Sequence, residues 1–459
     1  MSRIGHVIAA GTLLLAPWLG VGMAASIYDD DDAAVNTAGR SVDMSTVPRV
    51  DVGVADQLVP LYMRDKRIHG LTPFQALVDA AAEGSTLRPK PGLYAGPVHL
   101  TKKLIIEGNG QVTIDGGDKA TVFVLESSGN EIRGLHLTGS GSSHDTDDAC
   151  LNVRGHNNTI ENLVIDNCLF GIDLKQSNNN ILRGNRIRSK VAELGERGDG
   201  LRLWYSMNNR IEENTVVDSR DMVAWYSNGN YFLNNYGSRS RYSLHFMFSN
   251  GNVLEGNRFY DNSVGVYLMY TENTTMRNNV LSHSNGSTGI GIGFKEASST
   301  LLENNEIIYN AVGLSADLSP FQPDTKIILK NNRIAYNGIA ISFNSSLEGY
   351  EVTGNTFEGN ITNIAVAARG NARSNLWRGN FWDDYQGFDR NNNGVGDSPY
   401  QLYDYADRIW MEVPYARFFK NAPLMEAIDF LEKLAPFSNP DLMLRDDAPL
   451  FHKPLRART

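Results

Sequence analysis

Met247 and Met269 occupy matching positions in two similar stretches, "HFMFS" and "YLMYT", and His245 stands two residues before Met247. Two thioethers and an imidazole are soft donors without charge, a set that suits Cu(I). Held on one surface, they would take up the ion transiently and give it up again. A second group sits in "GFDRNNNGVGDSPY" at 387–400. Asp389, Asn391, Asn393, Gly394 and Asp397 follow the opening of a calcium loop. The bidentate glutamate that closes such a loop is missing, so any calcium here is weakly held and structural. The other reading is an Asn/Gly-rich tight turn bound by its own side chains.

A third group, Asp145, Asp147 and Asp148 in "SSHDTDDAC", has the residue type for sugar chemistry. Paired carboxylates on one face can cut or epimerise polyuronates. The flanking "DDACLNVRGHNN" lacks the Gly-His-Gly and Arg-x-Lys pieces of polygalacturonases, and no Asp-Pro-His-Asp run occurs. These aspartates read as a solvated loop.

The elements that must position these residues repeat. Aligned on N-x-x-x-x-N, the second asparagines are Asn162, Asn185, Asn214, Asn235, Asn257, Asn278, Asn305, Asn332, Asn355 and Asn380, spaced 21–29 residues apart. Between them lie alternating apolar runs such as "GIDLK", "GLRLW", "VGVYL" and "AISF". Short strands and turns stacked at this period specify a right-handed single-stranded parallel β-helix, all-β, of about 12 coils rising about 4.8 Å each. The asparagines are expected at an inner turn, where a left-handed bend and amide stacking suit them.

Both ends carry helical signals. "LTPFQALVDAAAEG" has Thr72 to cap, Pro73 at the first helical position and Gln75 to complete a capping box, which predicts a helix over 73–83. In "NAPLMEAIDFLEKLAPF", Leu424, Ile428, Leu431 and Leu434 fall at helical spacing after Asn421. The expected organisation is a signal peptide at 1–25, a poorly ordered acidic leader at 26–70, the β-helix with its capping helix at 71–400, and a helical cap or partner-docking segment at 401–459. The signal peptide is read from Arg3, the apolar run from Val7 to Val21 and the small residues Ala24 and Ala25. Net charge is −10 and no Lys/Arg run occurs, which excludes a nucleic-acid partner. The two cysteines, Cys150 and Cys168, either pair or remain free buried thiols.

Alternation assigns faces. Leu201, Leu203 and Tyr205 share one side, as do Met222, Ala224 and Tyr226; Leu244, Phe246 and Phe248; and Val266, Leu268 and Tyr270. Arg202 marks the opposite side as outward, because an unpaired charge inside the coil costs several kcal/mol. Trp204, Trp225, Met247 and Met269 then form an outward column, flanked by Arg202, Val223, His245 and Tyr267. So apolar a stripe is an interaction surface, or another segment lies over it.

With those residues in view, the chain resembles the NosD family. The likeness runs over about residues 72–450. Its carriers are "RGDGLRLWYS", "RDMVAWYSNGN", "RYSLHFMFSNGNVLEGNRF", "VGVYLMY", "GNFWDDYQGFDRNNNGVGDSPY" and "FLEKLAPFSNPDLMLRDDAPL". The resemblance implies a periplasmic, non-catalytic factor that matures the copper centre of nitrous oxide reductase in denitrification. It implies a membrane permease and a cytoplasmic ATPase as partners, holding the protein at the inner membrane. A copper-donating lipoprotein chaperone and the apo-reductase are implied as clients, with copper, sulfide or conformational energy as cargo. The rival reading is an exported carbohydrate-active enzyme: a polyuronate lyase, hydrolase or epimerase.

Overall fold

The computed structural model describes residues 68–403, 431 and 441–454, apart from 287–288, 345–347 and 368–369. All of these fall in the compact unit Thr37–Thr459. The expected signal peptide, nearly all of the leader and the helix expected after Asn421 lie outside the described residues.

The chain winds as a right-handed parallel β-solenoid of about 13 turns. A typical coil has three short strands, for instance Ile181–Arg183, Arg186–Ser189 and Leu201–Trp204. Strands of successive coils pair in parallel and build one sheet of 12 strands and a second of 24. The second is two columns joined by the long strands Ile105–Asp115 and Glu131–Thr138, each of which pairs in both columns. Among the described strands the one antiparallel pair is Tyr400–Tyr403 with Leu442–Asp446, beyond the last coil.

Alternation buries one apolar residue above another. Leu182, Ile211, Phe232, Leu254, Met276, Leu302, Leu329, Val352 and Trp377 are register partners in succession. All are buried in the core cluster. Truncating one such Leu to Ala costs about 2–5 kcal/mol, because neighbours fixed by their own coils cannot collapse into the gap.

At the corners, polar residues stack as the apolar ones do. From Asn185 through Asn214, Asn235, Asn257, Asn279, Asn305, Asn332 and Asn355 to Asn380, each residue donates its N–H and Nδ2–H to Oδ1 of the next, at 2.8–3.1 Å. The series ends on the buried carboxylate of Asp446, which accepts from the N–H and Nδ2–H of Asn380, the N–H of Gly379 and the indole of Trp382. Two members expected from the spacing do not belong. Asn278 and Asn162 take left-handed φ of 55° and 57°. The ladder rung is the residue after the bend, so Asn279 serves instead, and the N–H of Leu163 donates to Asn185. The left-handed bend and the inward amide are thus separate positions. Gly256 fills the bend position in its coil, where a Cβ would collide with Asn234 Oδ1.

The predicted N-terminal helix is present as α1 (Phe74–Ala80), with Phe74 and Val78 buried against the first coil. The capping box is not. Pro73 is the N-cap and no side chain caps the helix. Gln75 instead accepts the N–H of His99 at 2.7 Å and donates Nε2–H to its carbonyl at 3.2 Å. It serves as one more strand partner for the open end. Cys150 and Cys168 are bonded inside the core, both fully buried.

Candidate metal centre

The middle of the outer face of the 12-stranded sheet is built by six successive strands: β1 (Phe170–Lys175), β2 (Leu201–Trp204), β3 (Asp221–Trp225), β4 (Tyr242–Met247), β5 (Val264–Met269) and β6 (Ile290–Lys295). Their pairing sets Trp204 against Trp225, Trp225 against Met247, Met247 against Met269, and Met269 against Lys295. Beside that column, Arg202, Val223, His245, Tyr267 and Gly293 are partners in turn. A bulge between Asp221 and Val223 delivers His245 to this register.

The structure brings His245, Met247 and Met269 together. His245 Nε2 lies 2.9 Å from Met269 Sδ, a diagonal contact across two coils. Tyr242 packs on the other side of the imidazole, with ring centroids 4.9 Å apart, and Tyr267 closes edge-on at 6.2 Å. Burial, and then the charge of Arg241, pushes the His245 pKa down to about 4. The imidazole is therefore neutral at pH 7, with a ring nitrogen lone pair available to a metal.

The expected exposed patch is corrected. Met247 is 4% exposed, Met269 3% and Tyr267 5%. With Val264 they form an apolar cluster separate from the main core, against which Trp225, Tyr242, Tyr270 and Ile290 pack. The column points away from the coil interior and is nonetheless buried.

A second correction concerns Tyr205, Tyr226, Phe248 and Tyr270, expected inward by alternation. All four take left-handed φ, between 48° and 53°. That bend reverses the side chain, so the rings stand outside, and Tyr205 and Phe248 are 42% and 39% exposed. They stack nearly parallel, with centroids 4.6–5.1 Å apart. The residue that follows turns inward instead. The N–H of Ser206 donates to Ser227 Oγ, and that of Ser227 to Ser249 Oγ. The sequence does carry this signal, as an aromatic followed by Ser or Thr in "WYS", "WYS", "MFS" and "MYT".

Upstream on the same face, Arg202 is outward but not free. Its Nε and Nη2 donate to both oxygens of buried Asp173, at 2.8 and 3.0 Å, and Nη2 also reaches Asp147 at 3.0 Å. Lys175 holds the other Asp147 oxygen at 2.6 Å. Asp147 is therefore no solvated loop residue: burial works to raise its pKa, but the Lys175 bond and the Arg202 charge hold it below the ordinary carboxylate range. Asp148 is buried too, accepting from Ser143 N–H and Thr146 Oγ1–H.

In the 387–400 loop, Asp389 accepts the N–H groups of Asn393 and Gly394, Asn393 Oδ1 accepts Val395 N–H, and Asp397 accepts Arg390 N–H. Asn391 Oδ1 also accepts Asn393 N–H. The loop closes on itself through side-chain-to-backbone bonds. Among the described residues no group of three or more His, Cys, Asp or Glu side chains is placed to hold a metal ion. Of the soft donors, His245 and the two methionines do converge.

The comparisons with known proteins follow the same outline. A family model described as "Periplasmic copper-binding protein (NosD)" matches residues 188–387, and one for a right handed beta helix region matches 101–235. A "Probable ABC transporter binding protein NosD" of Stutzerimonas stutzeri is 36% identical over 19% of this chain and 21% of its own length. The protein of that name in Pseudomonas aeruginosa is 35% identical over 23% and 25%. These alignments span about a quarter or less of the curated relatives' length. Among solved structures, the mannuronan C-5 epimerase AlgE6 A-module of Azotobacter vinelandii superposes with a TM-score of 0.51 at 18% identity, over 68% of this chain and 98% of that one, a likeness of fold alone. Among the described residues no helix is long and apolar enough to cross a membrane. The signature over 188–387 and the two curated relatives support placing the chain in the NosD family.

Proposed function

We propose that this chain is a periplasmic accessory protein for assembly of the copper centre of nitrous oxide reductase, and that His245, Met247 and Met269 carry its copper as Cu(I). The observation that carries the reading is the 2.9 Å approach of His245 Nε2 to Met269 Sδ, with Met247 the register partner of Met269. Three neutral soft donors on neighbouring strands match Cu(I) better than any harder ion. The family's description as copper-binding supports the same cargo. The relatives' name supports work beside a transporter, here a membrane permease with a cytoplasmic ATPase that keeps the protein at the inner membrane. A lipoprotein chaperone would donate the copper, and the apo-reductase would receive it. Burial of both thioethers means that side chains of this face must part for uptake and release. Such gating suits a carrier that hands metal over only when docked.

The test is the double variant Met247→Leu/Met269→Leu, which keeps volume and apolarity but removes sulfur. Stability should change by less than about 1.5 kcal/mol. Cu(I) affinity, measured by chelator competition, and reductase maturation in cells should both fall. Wild-type values for both would remove copper from this site.

The enzyme reading finds some support in the Asp147, Asp173, Lys175 and Arg202 group on the same face. Its carboxylates are already bonded to those cations, however. Turnover of polyuronates by the purified chain, abolished by Asp173→Asn, would favour it.

A further inference from the structure

The site on β3–β5 has donors for a cation, and among the described residues no unpaired carboxylate is placed to balance its charge. His245, Met247 and Met269 are neutral. The carboxylates of the neighbouring coil turns, Asp199 and Asp221, are bonded by Arg220 at 3.1 Å and Arg241 at 2.6 Å. Arg241 lies over the Tyr242 ring, 4.8 Å from its centroid, and Tyr242 in turn packs on His245. The charge nearest the imidazole along this chain of contacts is thus positive and already paired. A lone Cu(I) there would be an uncompensated charge in an apolar cluster, an arrangement that costs several kcal/mol.

The same cluster holds a donor with nothing to donate to. Trp225 packs against Met247 and its neighbours, and its Nε1–H is buried with no acceptor among the described residues. Buried N–H groups are nearly always paired, and an orphan at a binding site points to a group that arrives with the ligand. Cu(I) cannot accept a hydrogen bond. A soft anion bound to it can, and the same anion cancels its charge.

We infer that the site takes Cu(I) together with one soft monoanion, a halide or a thiolate, which completes the copper's coordination and accepts the Trp225 Nε1–H bond. The inference rests on the copper reading above and adds the fourth ligand to it. The cargo is then a neutral pair. A thiolate would come as a cysteine of the donor or acceptor protein, a halide from solution.

Bromide and 2-mercaptoethanol serve as probes, with X-ray absorption at the copper edge and chelator competition as readouts. In the wild-type chain loaded with Cu(I) in bromide, a bromine scatterer should appear in the first shell beside one nitrogen and two sulfurs. Cu(I) affinity, corrected for copper–bromide complexes in solution, should rise about tenfold per tenfold bromide once bromide exceeds its Kd for the copper-loaded site, as linkage of one anion per copper requires. Trp225→Phe keeps the ring and loses the N–H. It should lose most of the bromide response, measured against its own Cu(I) affinity in anion-free buffer, whereas Trp204→Phe should retain it. A response to thiolate without one to bromide would make a partner's cysteine the anion, and a response to both would make it a free ion. A wild-type first shell without any anion, with affinity flat in bromide and thiolate, overturns the inference while leaving the methionine site standing. Undiminished Cu(I) binding by Met247→Leu/Met269→Leu overturns the site itself.

Discussion

A single imidazole shows how burial tunes the candidate site. The His245 pKa, lowered from 6.5 to about 4 first by burial, means that the folded chain resists a proton that the unfolded chain accepts. Between about pH 4 and 6.5 the unfolded state binds more protons, so this residue's share of stability falls as pH drops through that window. Apo wild type should therefore lose stability between pH 6.5 and 4.5 more steeply than His245→Gln, measured by urea unfolding. Cu(I) affinity by chelator competition should stay flat from pH 7 to about 5, because proton competition at this nitrogen begins only near pH 4. A midpoint near 6.5 would mean that the imidazole is solvated. The types and spacing of His245, Met247 and Met269 were legible in the sequence because strand alternation and the repeat together fix which coil and which side a residue occupies. Their burial was not legible. A period of two assigns a residue to a face and carries no information about how far that face is enclosed.

At the level of the strand and its turn, alternation failed at one recurring place. Phe246 and Phe248 look equivalent by period, yet one is buried in the core and the other stands outside at a left-handed φ of 50°. Phe246→Ala should cost about 3–5 kcal/mol, as for any full-size core truncation. Phe248→Ala should cost roughly 1 kcal/mol, since it loses only part of its burial and two stacking contacts. Equal losses in chemical denaturation would put Phe248 back inside. A left-handed bend is expensive for an aromatic residue, about 1–3 kcal/mol, where Asn or Gly would hold it more cheaply. Stacking against the ring above and below offsets part of that cost. The same bend explains the asparagines. Sequence spacing found their period, but one residue separates the bend from the rung, and Asn occupies both positions in this chain. Only the hydrogen bonds tell Asn278 from Asn279.

For the molecule as a whole, the β-helix was legible because every coil repeats the same demands on sequence, and errors in one coil are outvoted by the next. The ends were less so. Gln75 reads as a helix cap and acts as a strand partner, and the acceptor that closes the asparagine series lies 66 residues beyond Asn380, at Asp446. Deleting the chain after Asp404 therefore removes a structural residue along with any docking segment, and cannot separate the two roles. A cleaner variant replaces 405–440 with a flexible linker and keeps Asp446. It should stay folded, and loss of co-purification with the permease would then assign docking to the removed stretch. Asp446→Ala alone should cost about 3 kcal/mol or more, since it leaves several buried donors unmatched. The ladder has a further property: it runs one way. Each rung hands its donors forward and offers its acceptor backward, so an unfinished end is a growing end, ready to add the next unit of any chain that repeats in the same way. A carboxylate has no proton to pass on. Asp446 is a chain terminator in the polymer chemist's sense, and Asp446→Asn, which sets an amide donor against buried N–H groups that the carboxylate accepts, should lower stability in chemical denaturation.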